Sequence, residues 1–317
     1  YEDKKIYDDL ILYKEFVNKF SQKYKGRLLS FYQNFDDVIK EFEKGSEVSV
    51  KLECYAFLLY TTNMNDDKIV QFYQKINEEI TEITGDLIFF TNSINSLNDK
   101  DFDKLVSNSD KFKNWLINIR RFSVHQLDEK SERILLDKNI TANSSWVRFF
   151  EENINQLKFL IDDKEVNSSE ALNLLSDKNA KVRKNAAISI GSTFKEHAKT
   201  FTFITNTLAK DKITNDKWRN YIDPVQSRNL ANNVEGEVVD ALSLSVQNHY
   251  SKISHRYYEL KSKIFQKDKL DFWDRNAPYP DSSNKMIPWE EAKEIVIKSY
   301  GEFDQRLKDI VLMFFNK

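Results

Sequence analysis

The densest set of chemically capable side chains in the sequence lies in the stretch SHRYYELK, residues 254–261. It holds a histidine, an arginine, two phenols and a carboxylate, and His255 and Glu259 are four residues apart. On an α-helix that spacing puts both side chains on one face, where they could bind a metal ion or pair with each other. A zinc site normally has three or four protein ligands, so two are too few. The spacing therefore favours a pair within one helix over a metal site.

The usual catalytic and metal-binding motifs are absent from the sequence. The four histidines are His125, His197, His249 and His255, and no two of them are four residues apart. The sequence contains no H-E-x-x-H, no G-x-S-x-G, no Walker loop and no G-x-G-x-x-G. The single cysteine, Cys54, excludes an internal disulfide and is predicted to be buried in the apolar run ECYAFLLY. The 317 residues are thus predicted to supply no catalytic, cofactor-binding or metal-binding residue.

Composition favours a protein built of long helices. Only 6 glycines and 4 prolines occur, so few positions force a turn or break a helix. Hydrophobic residues make up 40% of the chain and charged residues 31%, which suits a folded core with a solvated surface. A net charge of −2 offers no electrostatic case for a nucleic-acid partner, and no run is long enough for a membrane span. These features predict a soluble, cytoplasmic protein.

Helical periodicity dominates the elements that must position any site. Apolar residues recur every three or four positions over 69–94, 146–157 and 239–264, and each stripe predicts one helix face. The last stripe includes Tyr257 and Leu260, which are therefore predicted to face the core. The sequence predicts an all-α, multi-lobed bundle.

One small β-hairpin is predicted near residues 157–167. Phe159 and Ile161 alternate with their neighbours along the predicted strand, and residues 162–164 are predicted to form a turn. Ser168 and Ser169 are candidate N-caps of the next helix, and Asp177 or Asn179 of the one after.

The stretch ALNLLSDKNAKVRKNAAISIG has the pattern of one helical hairpin. A solenoid needs at least about three such repeats, and only one is found. Proline clustering predicts a loop over 275–288, with a new helix starting at Pro288.

Taken together, many blocks of the sequence resemble oligoendopeptidase F, a member of the thimet-oligopeptidase-like zinc metallopeptidases. In the second half the blocks include EALNLLSDKNAKVRKNAA, DKWRNYIDP, SRNLANNVEGEVVDALSLSV, SHRYYELKSKIF, LDFWDRNAPYP and IPWEEAKEIVIKSYGEF. In the first half they are CYAFLLYTTN, DLIFFTNSIN and HQLDEKSERILLDKNITANSSWVRFFEE. The resemblance covers nearly all of the chain, as a pattern of blocks in which no single block is a chemical signature.

The resemblance implies an all-α, two-lobed bowl that takes short unfolded oligopeptides into a deep channel. In this family zinc is held by the two histidines of H-E-x-x-H and a later glutamate, and the motif's own glutamate is the general base. The sequence ends at Lys317, before the point where the family's metal-binding helix would come. None of those residues can be placed on this numbering, so the 317 residues alone are predicted to be inactive and to bind no Zn²⁺.

The resemblance also suggests how the chain is organised. It implies an N-terminal helical region over 1–100, a helical lobe with the hairpin over 101–175, and the leading part of the catalytic domain over 176–317. The implied partners are an oligopeptide substrate and the C-terminal remainder of the same catalytic domain. The alternative is a helical peptide- or protein-binding module without catalysis. Candidate substrate-channel residues are Trp218, Arg228, His255 and Tyr258, for which a capping or packing role is the alternative.

Overall fold

A computed structural model describes residues 3–280 and 286–316 of the chain. Over these residues the protein consists of α-helices and one two-stranded antiparallel sheet, so the predicted all-α class with one hairpin is confirmed. In chain order the elements are α1 (Lys4–Tyr24), α2 (Phe35–Thr62), α3 (Asp67–Thr84), α4 (Ile88–Asn95), α5 (Asp99–Ser107), α6 (Lys113–Arg121), α7 (Glu129–Asn139), α8 (Asn143–Gln156), β1 (Phe159–Ile161), β2 (Lys164–Val166), α9 (Ser168–Leu174), α10 (Ala180–Glu196), α11 (Ala198–Trp218), α12 (Gln226–Ala231), α13 (Gly236–His249), α14 (Arg256–Ile264), α15 (Trp289–Phe303) and α16 (Gln305–Phe315).

The larger hydrophobic core joins α1 to α6. The apolar residues of α1 recur every third or fourth position, so one face of the helix is buried along its whole length. Phe20 lies at the centre of this core, with its ring centroid 5.7 Å from that of Phe42 and 5.3 Å from that of Phe90. The aromatic rings fix how α1, α2 and α4 pack, because each ring must find an edge or an offset face of its neighbours.

The apolar stripe over 69–94 is buried as predicted, although the backbone under it is not one helix. A 3₁₀ turn over Gly85–Leu87 separates α3 from α4. Ile76 and Ile80 on α3 and Phe90 and Ile94 on α4 all lie in the core. The apolar periodicity therefore predicted correctly which side chains are buried, but it did not predict the 3₁₀ turn that divides the helix in two.

The β-hairpin organises a second, smaller core. Phe159 pairs with Val166 and Ile161 with Lys164, while Asp162 and Asp163 adopt positive φ angles of 49° and 64°. Two consecutive left-handed residues match the right-handed twist of a tight hairpin. Phe159 and Ile161 pack with Ala171 and Ala186, so the hairpin anchors α9 and α10. The predicted position near 157–167 is confirmed.

The helix caps around this core differ in one position from the prediction. Asn167, and not Ser168 or Ser169, is the N-cap of α9, because its side chain accepts the N–H of Glu170 while Glu170 accepts the N–H of Asn167. Asn179 caps α10 and is one of the two residues, Asp177 or Asn179, that the sequence predicted for this position. The two helices form the single helical hairpin expected from the sequence.

The prediction that Cys54 is buried is wrong, since its thiol is exposed. In the last three turns of α2 the buried positions are Leu52, Ala56 and Tyr60, which recur every four residues. Cys54 lies between them and so points away from that face.

The proline loop is described only in part. Residues 281–285 of the predicted loop lie outside the described residues. Pro288 is the N-cap of α15, which begins at Trp289, with Glu290 and Glu291 in its first turn. Acidic residues there complement the partial positive charge of the helix start. The divisions at residues 100 and 175 stay predictions.

Within residues 3–280 and 286–316, no helix combines the length and the apolar character that crossing a bilayer requires.

Candidate functional site

Two grooves contain three of the four candidate residues. The first, here called the α7–α11 groove, has a volume of about 860 Å³ and lies between α7 and α11. A volume of this size is within the range of ligand-binding clefts. Trp218, half exposed at 51%, lies at its edge at the end of α11. Its apolar walls also include Ile134 and Leu135 from α7 and Phe203 from α11.

A paired charge cluster closes one end of this groove. The guanidinium of Arg219 donates to both carboxylate oxygens of Glu132, each at 2.7 Å, and this bidentate contact joins α7 to the end of α11. His125 donates its Nδ1–H to the carbonyl of Arg219 at 2.8 Å, and its ring stacks on Tyr221 with a centroid distance of 4.0 Å. Since a carbonyl can only accept, the proton of this imidazole is on Nδ1.

The same contacts shift the acidities of the pair. Burial alone raises the pKa of Glu132, but the hydrogen bonds from Arg219 and from the Leu127 N–H outweigh it and leave the pKa lowered. The hydrogen bond to Glu132 raises the pKa of Arg219. Both groups are therefore charged at neutral pH, and the cluster is a fixed ion pair and not a proton donor or acceptor for chemistry.

The second groove, here called the α14 groove, has a volume of about 790 Å³. His255, Tyr258 and Glu259 line it from one side, and the segment 268–275 lines it from the other. His255 and Glu259 share this groove, as the i,i+4 spacing predicts. Among the described residues, however, no hydrogen bond joins their side chains, so the predicted pair within the helix is not formed.

The prediction that Tyr257 and Leu260 face the core is also wrong. Tyr257 is 42% and Leu260 56% exposed. A π-helical turn over Ser251–His255 separates α13 from α14, and its extra residue rotates the following helix by about 100°. The stripe over 239–264 therefore does not lie on one face. The buried residue of α14 is Lys261, whose ammonium donates to the carbonyl of Arg275 at 2.8 Å.

Arg228 lies on α12, exposed and outside both grooves. The structure thus brings His255 and Tyr258 together, keeps Trp218 in a different groove, and groups Arg228 with neither. A role for any of the four in a substrate channel stays a prediction.

A buried ion-pair network holds the wall of the α14 groove. The carboxylate of Asp274, fully buried, accepts from Arg183 of α10 at 2.6 Å and from Lys267 at 2.5 Å. Arg183 also donates to the carbonyls of Asp177 and Lys178. Burial raises the pKa of Asp274, but the two cations reverse this and leave it lowered. The network ties the helical hairpin α9–α10 to the segment 268–275.

The described residues do not fit a zinc site. No group of three or more histidine, cysteine, aspartate or glutamate side chains within residues 3–280 and 286–316 is arranged to hold a metal ion. Because zinc needs at least three protein ligands, no catalytic step is assigned to a metal on these residues.

Comparisons with known proteins bear on the family. A family model described as Oligopeptidase F matches residues 93–159. Oligopeptidase PepF of Bacillus subtilis (strain 168) is 22% identical over 312 residues, which covers 94% of this chain and 46% of that protein. Group B oligopeptidase PepB of Streptococcus agalactiae serotype III (strain NEM316) is 22% identical over 296 residues, covering 88% and 48%.

The fold agrees with these matches. The crystal structure of oligoendopeptidase-F from Enterococcus faecium superposes with a TM-score of 0.78 at 19% identity, over 97% of this chain and 63% of that one. In both sequence and fold the chain is similar to oligoendopeptidase F. It spans about half the length of the curated relatives it matches. The resemblance stated from the sequence blocks is therefore confirmed.

Sequence reasoning selected Trp218 as a candidate but did not predict the groove that it lines. The signal was present in α11, where the groove-lining residues recur every third or fourth position and most are polar. They are Phe203, Asn206, Thr207, Lys210, Asp211, Thr214, Asn215 and Trp218. A search for apolar periodicity does not detect this face, because only its first and last residues, Phe203 and Trp218, are apolar and the residues between them are polar.

Proposed function

We propose that the chain is the N-terminal part of a zinc-dependent oligoendopeptidase that hydrolyses peptide bonds in short unfolded peptides. The observation that carries this is the coverage: two oligopeptidases align with 94% and 88% of the chain, while the chain accounts for only 46% and 48% of them. Zinc and the water that it would activate belong, in this proposal, to residues outside the 317. The proposed location is the cytoplasm, where an exposed thiol such as Cys54 stays reduced.

The exposed apolar surface of the second half supports the proposal that a further element packs on it. Beyond Ile204, Ala277 is the one buried apolar residue in the part of the chain that the structure describes. Helices α13 to α16 leave large apolar side chains in solvent, among them Leu242 at 65%, Phe303 at 83% and Phe314 at 73%. Folded proteins seldom expose contiguous apolar surface on this scale without a partner. We propose the remainder of the catalytic domain as that partner.

The contribution of the 317 residues is then structural and substrate-positioning. The Arg183–Asp274–Lys267 network and the Glu132–Arg219 pair fix the walls of two grooves. Rigid walls lower the entropic cost of ordering a peptide, because the binding surface is already formed.

The proposal is tested by reading the same frame beyond Lys317 to its stop codon and expressing that protein. A quenched-fluorescent oligopeptide is expected to be cleaved by the longer protein and not by the 317 residues, and a chelator is expected to abolish cleavage. Chelator-sensitive cleavage by the 317 residues alone would refute the assignment of the catalytic groups. A stop codon directly after Lys317, with no cleavage, would instead support the peptide-binding module.

A further inference from the structure

One face of α11 has the properties of a peptide-binding wall. Its groove-lining residues run from Phe203 to Trp218 at spacings of three and four, so they form a single face of the helix. At 1.5 Å per residue this face is about 22 Å long, the length of six or seven extended residues. Ile204, next to Phe203, is fully buried, so the core-facing side of the helix is a different one.

The middle of this face offers hydrogen-bonding groups that suit a peptide backbone. The hydroxyls of Thr207 and Thr214 each donate to a carbonyl of their own helix at 2.8 Å, which leaves the oxygen lone pairs to accept an N–H. Asn215 uses its amide N–H₂ on the carbonyl of Asp211, which leaves its Oδ1 as an acceptor. The side chain of Asn206 forms no hydrogen bond within the described part of the chain. The groove thus presents both donors and acceptors along its length.

The two ends of the groove differ in character. Glu132 near the start of α7 pairs with Arg219 at the end of α11. Trp146, which follows α7, contacts Phe203 near the start of α11 with a ring-centroid distance of 5.5 Å. The chain from Glu132 onward therefore runs along α11 in the opposite direction, which places Lys138 between these two anchors and away from the Trp218 end of the groove. Neither Lys138 nor Lys210 has an acceptor for its ammonium among the described residues, and the one other charged side chain among the described lining residues is Asp211. Since Glu132 and Arg219 neutralise each other, the groove carries an excess of one positive charge. Trp218 provides an exposed apolar surface at the opposite end.

We propose that the α7–α11 groove binds an oligopeptide in extended conformation, with a carboxylate at Lys138 and Lys210 and an apolar side chain on Trp218. Lys210 and Trp218 are about 12 Å apart along the helix axis, which corresponds to about four extended residues. The excess positive charge selects the carboxylate, and the aromatic surface of Trp218 selects the apolar residue. The inference rests on the proposed function for its substrate class and adds a site, an orientation and a preference.

The test measures binding of fluorescein-labelled hexapeptides to the 317-residue chain by fluorescence anisotropy. The probe carries a phenylalanine four residues before a free C-terminal carboxylate. Its C-terminal amide is expected to bind at least about tenfold more weakly, and so is the phenylalanine-to-alanine peptide. The double variant Lys138→Ala/Lys210→Ala is expected to bind the acid and the amide equally. Equal binding of both peptides by the unaltered chain would overturn the proposal without any variant.

The variant Trp218→Ala is expected to weaken binding about fivefold or more, while Trp289→Ala on α15 leaves it unchanged. Trp289 is a matched control because it is also a tryptophan, is 66% exposed and lines neither groove. Circular dichroism and thermal unfolding check that each variant folds. Equal loss in both variants, or in neither, would place the peptide elsewhere. Binding with this pattern, but no hydrolysis by the longer protein, would overturn the proposed function and leave the groove assignment standing.

Discussion

Asp274 is a fully buried carboxylate between two cations from different segments, Arg183 of α10 and Lys267 after α14. Its two oxygens are each used, one by each cation. Desolvating three charges is costly, so the network stabilises the fold only while every member is present. The stabilisation that the network provides is further reduced at Arg183, because its Nε–H is buried without a hydrogen-bond partner among the described residues.

Replacing Asp274 with alanine is expected to reduce the free energy of unfolding by about 3–5 kcal/mol, because Arg183 would be left as an unpaired buried charge. Urea denaturation followed by tryptophan fluorescence measures the loss. Asp268→Ala, an exposed position nearby, is expected to change it by less than about 0.5 kcal/mol. Similar effects of the two substitutions would show that the network contributes little.

The Glu132–Arg219 pair is expected to make stability depend on pH. A carboxylate whose pKa is lower in the folded state stabilises the fold above its unfolded pKa of about 4.3 and loses that effect as pH falls through the folded value. Glu132→Gln is therefore expected to cost about 2 kcal/mol at pH 7. The cost is expected to diminish below about pH 4.

Paired urea titrations of the two proteins across pH 3–7 measure this difference. Glu129→Gln on the same helix is the control, because Glu129 forms an exposed ion pair with Lys25 that is expected to contribute less than about 1 kcal/mol. A pH-independent cost at Glu132 would rule out the ionised pair as its source.

At the scale of elements, the packing of α1 on α2 depends on a missing side chain. Gly45 is buried in α2, and a Cβ at this position would collide with the ring of Phe16 from α1. Phe16 in turn packs against Phe20 in the larger core. The close approach of the two helices therefore requires glycine here.

Gly45→Ala is expected to destabilise the fold by about 1–3 kcal/mol, because Phe16 has to move out of its packed position. Gly191→Ala on α10 is the matched control, since a Cβ there meets no atom within 4 Å. That substitution is expected to stabilise by about 0.5–1 kcal/mol through helix propensity. Effects of the same sign, measured by thermal unfolding, would contradict the packing argument.

At the scale of the whole molecule, burial is unevenly distributed along the chain. The larger hydrophobic core contains buried side chains from each of the helices α1 to α6. Helices α13, α15 and α16 contain no buried residue among those described. Such helices gain little from the hydrophobic effect in this chain alone, because their apolar surface stays in water.

This asymmetry predicts that the 317 residues self-associate when purified. Phe314→Lys and Leu242→Lys are each expected to reduce the association seen by sedimentation velocity, because a charge on the exposed face opposes apolar contact. Leu12→Lys on α1, which is comparably exposed at 53%, is expected to leave it unchanged. A monomer at every concentration would show that the exposed face of α13 to α16 is not adhesive.

The sequence by itself determined the helical class, the hairpin and the family resemblance, and it limited the N-cap of α10 to two residues. Each of these depends on local spacing or local side-chain chemistry, which is written directly in the order of residues. It also identified His255, Glu259 and Tyr258 as residues of one helical region. Their actual separation from Trp218 and Arg228 was not available, because it depends on how helices distant in the chain pack.

Only the tertiary structure decided which apolar stripes are buried and where charges pair. The stripes over 69–94 and 239–264 look alike in sequence, yet the first is packed against α1 and α2 while the second is interrupted by a π turn and lies in solvent. Likewise, Asp274 pairs with Arg183, and Glu132 with Arg219, across about ninety residues of sequence. Periodicity specifies a face of a helix, but burial and ion pairing require a second surface, and the fold supplies that surface.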